Sequence, residues 1–189
     1  MLEKLAHLRT KFFAPFLVKV NPTIVSLISF ALAIIASYFF FRSLWLFAAL
    51  SLLASAFLDA LDGEIARKYG LASKFGDLLD HTLDRIADAA FFIALAFNAS
   101  ISSTLAFLTL IAVLLASYAG TEAQALTGKR LYTALIGRAD RLVVLFAAAI
   151  AQLFYPLAIQ YALYAILTLS ALTFLQRFYI TSKMLLKKA

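Results

Sequence analysis

Apolar side chains run along this chain in blocks, broken at intervals by charges, glycines or Asn-Pro, and no stretch alternates apolar and polar positions as barrel strands do. The blocks approach the roughly 20 residues that a membrane-spanning helix needs. Asn21-Pro22-Thr23 punctuates the chain before the first block; Thr23 is the expected N-cap, and a span is predicted from Ile24 to Phe41. Further spans are expected over residues 44–61, 75–96, 104–118, 138–155 and 159–178. The fourth continues as a polar extension through Glu122 and Gln124. Residues 1–20 mix basic and apolar positions around Pro15 and predict a helix lying along the membrane surface. The expected fold class is therefore an all-α integral membrane protein with six transmembrane helices and an N-terminal amphipathic interfacial helix. It forms a single domain over residues 1–189, with the bundle at 24–184.

Composition agrees. The chain is 64% hydrophobic with a mean hydropathy of +0.93, too apolar for a domain whose surface faces water. Cysteine is absent, which excludes disulfides, thiolate metal ligands and a cysteine nucleophile. The net charge of +7 is sorted by position rather than spread along the chain. Lysines and arginines cluster before the first block, between residues 67 and 85, between 129 and 141, and at the C-terminal end, while the alternate connections carry only Arg42. By the positive-inside rule both termini and the central charged stretch face the cytoplasm, so a lipid bilayer, and not nucleic acid, is the partner of this charge.

The acidic residues concentrate between two apolar blocks, from Asp59 to Asp84. Asp59 and Asp62 are three apart and Asp80 and Asp84 four apart, so on helices each pair projects from one face. Asp77 and Asp88 extend the second stripe. Carboxylates near a bilayer cost at least about 2.5 kcal/mol each at mid-membrane and need counter-charge. An all-oxygen donor set selects hard cations, Mg2+ or Mn2+, and four carboxylates from two helices suffice for two ions, the arrangement that clamps a phosphoryl group in transfer. His81 follows Asp80 directly, about 100° round the helix, and is expected to point away from the cluster. Gly63 and Ala66 leave room for a phosphorylated group near the backbone, and Arg67 offers it a charged donor. Plain helix packing accounts for such small residues when they stand alone.

The pattern Asp59-x2-Asp62-Gly63-x2-Ala66-Arg67-x8-Gly76-x3-Asp80-x3-Asp84 resembles the signature of the CDP-alcohol phosphotransferase family at every fixed position. The resemblance implies a membrane enzyme, usually a homodimer, in which an alcohol hydroxyl displaces CMP from a CDP-linked lipid donor, CDP-archaeol or CDP-diacylglycerol. It further implies Asp59, Asp62, Asp80 and Asp84 as metal-site residues, Asp84 as general base, and Gly63, Ala66, Arg67, Ser73 and Gly76 around the CDP group. Arg138 and Arg141 match paired arginines that take an acceptor phosphate. The extension from Ser117 to Gln124 lacks the base that inositol phosphate synthases carry there and, with the GRADR segment that follows, is similar to a subgroup of archaeal enzymes. The resemblance thus points to a small polar alcohol, glycerol phosphate, as acceptor, with inositol phosphate as the alternative. A cation transporter lined by the same aspartates is the competing class.

Overall fold

The computed structural model describes residues 14–128 and 134–186. Among them the secondary structure is wholly helical. After a single 3-10 turn at Ala14–Phe16 come α1 (Pro22–Phe41), α2 (Trp45–Lys68), α3 (Lys74–Ala96), α4 (Ser103–Thr127), α5 (Arg138–Ala151) and α6 (Ala158–Leu186). Six helices stand where six were expected, and four of them, α1, α2, α4 and α6, are long and apolar enough to cross a membrane. α3 carries its acidic stripe, and α5, at 14 residues, is about 21 Å long against a hydrocarbon core of about 30 Å.

Boundaries shift for local reasons. Asn21, not Thr23, caps α1: its Oδ1 accepts from the Thr23 backbone N–H at 3.0 Å, and Pro22 takes the first helical position, where no N–H is needed. The expected surface helix lies outside the described residues up to 13. From Ala14 the chain makes only the short turn and then runs without helix to Asn21, with Leu17 O accepting from Tyr69 Oη at 2.8 Å.

The principal helix contacts join α1 to α2, α2 to α5, α5 to α6, α6 to α4, α4 to α3 and α3 back to α1, a closed ring. Alanines such as Ala36, Ala48, Ala49 and Ala106 are fully buried where helices approach closely, around larger plugs such as Phe40, Phe91 and Leu163. Large apolar residues point outward instead, for example Ile24, Leu27, Ile28 and Leu50, the reverse of a water-soluble bundle. At one end Asn98 joins two connections: its Nδ2 donates to Phe40 O at 2.7 Å and to Ser43 Oγ at 2.8 Å. The acidic residues occupy the other end.

Candidate active site

α2 does not stop where its hydropathy falls, near Leu61. Leu61 and Ile65, one turn apart, are buried in a small cluster with Leu17, and that packing carries the helix on to Lys68. Asp59, Asp62, Gly63, Ala66 and Arg67 therefore share one rigid helix. α3 begins at an N-cap, Ser73, whose Oγ accepts from Gly76 N–H at 3.0 Å. Asp80 and Asp84 follow one turn apart and face α2.

Ligand atoms of Asp59, Asp62 and Asp80 lie within 4.8 Å of one another, and so do those of Asp80, His81 and Asp84. Asp80 is common to both groups. The expectation for His81 is corrected: although the helix turns it from Asp80, the flexible imidazole reaches back to the cluster. Arg138 Nη1, from α5, bonds Asp59 Oδ2 and Asp84 Oδ1, each at 2.8 Å. Asp62 is buried and receives the Ser26 hydroxyl of α1 at 2.5 Å. Asp80 has neither an ion pair nor a hydrogen bond among the described residues. Four carboxylates thus share one directly bonded guanidinium, and when ionised they keep an excess of negative charge. An all-oxygen set of this density, with one imidazole at its edge, fits a hard divalent cation.

Beside the cluster opens a cavity of about 1230 Å³. Gly63, Ala66, Arg67, Ser73 and Gly76 all line it, together with Asp62, Asp80 and His81. Lys19, Asn21 and Thr23 close one side, and Thr121 and Gln124 of α4 another. Arg67 lies across Gly63, where an added Cβ would sit 3.3 Å from Nη2, and the same Nη2 holds the buried Glu64 at 2.9 Å. Glu64 fell in a variable position of the motif and gave no signal in the sequence.

Arg138 and Arg141, the pair matched to an acceptor phosphate, each bond carboxylates in the structure. Arg138 bridges α2 and α3, while Arg141 Nη2 forms a fully buried pair with Asp88 Oδ2 at 2.7 Å. Burial is the reason: a desolvated guanidinium takes the nearest carboxylate. In both residues Nε remains buried with no partner among the described residues. Arg177 of α6 was missed. Its Nη1 donates to Ala116 O at 2.6 Å and lies so close to Gly120 that an added Cβ would be 2.7 Å away. A base from another helix therefore stands beside the extension that has none of its own. The signal was the glycine at 120, which gives the guanidinium room.

Fold and site define a helical membrane protein with an acidic cluster suited to a divalent cation beside a large cavity at one end. The chain belongs to the CDP-alcohol phosphatidyltransferase family, whose model matches residues 19–184. It is thus a membrane transferase of phospholipid biosynthesis that passes a phospho-lipid to an alcohol. It is 36% identical over 166 residues to an archaetidylinositol phosphate synthase of Pyrococcus horikoshii, covering 88% of this chain and 86% of that one. A protein of the same description from Methanothermobacter thermautotrophicus is 30% identical over 81% of this chain and 78% of its own length. The fold matches the crystal structure of Mycobacterium tuberculosis phosphatidylinositol phosphate synthase with CDP-DAG bound. The TM-score is 0.79 at 24% identity, covering 93% of this chain and 94% of that one. The same enzyme in complex with manganese and citrate matches with the same score, over 92% and 88%.

Proposed function

We propose that this protein transfers the phospho-lipid of a CDP-linked lipid to the hydroxyl of inositol phosphate, releasing CMP. The observation that carries the reaction is the junction of the acidic cluster with the cavity: Asp62 and Asp80 belong to both. Asp59, Asp62, Asp80 and Asp84 would hold Mg2+ or Mn2+, in one or two ions. Bound there, such a cation supplies positive charge to the diphosphate and to departing CMP. The family's CDP-contacting positions, Gly63, Ala66, Arg67, Ser73 and Gly76, all line the cavity, which supports its assignment to the cytidine diphosphate. The acceptor oxygen attacks the lipid-side phosphorus, the bond from that phosphorus to the CMP oxygen breaks, and CMP leaves with the electron pair. Asp84 takes the hydroxyl proton.

For the acceptor, relatives that make inositol phosphate lipids support the inositol reading over the glycerol phosphate expected above. Arg177 supplies positive charge beside the base-free extension, where an acceptor phosphate needs it. The same proposal places residues 24–184 in one six-span domain, with the acidic cluster and both termini at the cytoplasmic face, as a homodimer.

Purified protein with CDP-lipid and Mn2+ should release CMP fastest with inositol phosphate. A higher kcat/KM for glycerol phosphate or serine overturns the acceptor assignment.

A further inference from the structure

We infer that Ser26 is a positioning residue that aims the Asp62 carboxylate at the cation, an inference that rests on the proposed metal site. Asp62 differs from its neighbours in the cluster. Arg138 holds Asp59 and Asp84, whereas the buried Asp62 is met by an uncharged hydroxyl from a different helix, 36 residues away in the chain. The Ser26 Oγ to Asp62 Oδ2 distance of 2.5 Å is that of a charge-assisted O–H···O⁻ bond. Pro22 O lies farther from the same oxygen, at 3.1 Å, and a hydroxyl has one proton to give. The carboxylate therefore takes it.

The approach of the two helices is fixed independently. One turn deeper, Ser29 Oγ donates to Ser55 O at 2.8 Å and Ser55 Oγ donates to Ser29 O at 2.9 Å. These reciprocal bonds set the register of α1 on α2 and leave Ser26 opposite Asp62. Ser26 also lines both the large cavity and the narrow cleft that holds Asp59, Asp80, Asp84 and Arg138. With one Asp62 oxygen bonded by the hydroxyl, rotation of the carboxylate about its χ2 is restrained and the other oxygen keeps one direction. Partners of this kind change metal affinity by about 10- to 100-fold when removed.

The test compares wild type, Ser26→Ala and Ser26→Thr for Mn2+ binding without lipid substrates, read from the electron spin resonance of free Mn2+, and for CMP release across a Mn2+ titration. Ser26→Ala is expected to weaken Mn2+ binding about tenfold or more. Its kcat should return toward the wild-type value at saturating Mn2+, with the KM for CDP-lipid unchanged. Ser26→Thr, which keeps the hydroxyl, should bind Mn2+ as wild type does. Wild-type Mn2+ affinity in Ser26→Ala, or equal loss in Ser26→Thr, overturns the inference. Wild-type protein that binds no Mn2+ overturns the metal-site reading beneath it, a distinguishable result.

Discussion

Asp84 and Asp88 lie one turn apart on α3, each bonded to an arginine of α5, yet their surroundings assign them different work. Asp84 belongs to the group of ligand atoms around Asp80, while Asp88 is shut away with Arg141. Asp84→Asn keeps the shape and removes the proton acceptor. Turnover is expected to fall at least about 100-fold, the lower end for general base catalysis, with CDP-lipid binding retained. CMP release and lipid-binding measurements on the same preparation check this. Arg141→Met leaves Asp88 buried without its partner and is expected to cost about 3–5 kcal/mol of stability. Much of that should return in the double variant Asp88→Leu/Arg141→Met, which removes both charges. Thermal unfolding in detergent measures both.

At the scale of elements, polar side chains fasten the ends that hydropathy leaves undefined. At the end of α1, where helical carbonyls run out of helical partners, Asn98, buried beyond the end of α3, donates to Phe41 O and to Phe40 O, which also accepts from Ser43 N–H at 3.2 Å. Asn98-Ala99-Ser100 reads as a glycosylation sequon, but its Nδ2 is spent in the core. Asn98→Leu removes the donor to Phe40 O, Phe41 O and Ser43 Oγ and should destabilise the protein by about 1–3 kcal/mol, the net worth of about two hydrogen bonds. Asn98→Asp, whose ionised carboxylate cannot donate, should lose a comparable amount, and unfolding midpoints of the two variants decide it. Gln152 holds the α5–α6 turn in a similar way, with Oε1 accepting from Ile159 N–H at 2.8 Å and Nε2 donating to Pro156 O at 2.6 Å.

For the whole molecule, the ring of six helices puts the acidic cluster at one end and the Asn98 junction at the other. The chain lacks cysteine, so single cysteines report sidedness without background. In intact cells an impermeant thiol reagent should label Ser100→Cys and spare Lys74→Cys; the reverse pattern inverts the proposed topology. Much of this was legible beforehand. Block hydropathy gives the membrane class and the helix number, because each span must bury its own backbone hydrogen bonds in lipid. Spacing of three and four puts Asp59 with Asp62 and Asp80 with Asp84, because helical neighbours are set by local geometry alone. The motif gave the family. The sequence determined, in short range, which side chains share a helix face. Only the tertiary structure decided which faces meet: that Arg138 binds two of the acids, that Ser26 binds a third, and that Arg177 reaches Gly120. Those pairings depend on helix register and crossing, which are fixed by close packing of buried alanines and serines across the ring and leave no periodic trace along the chain.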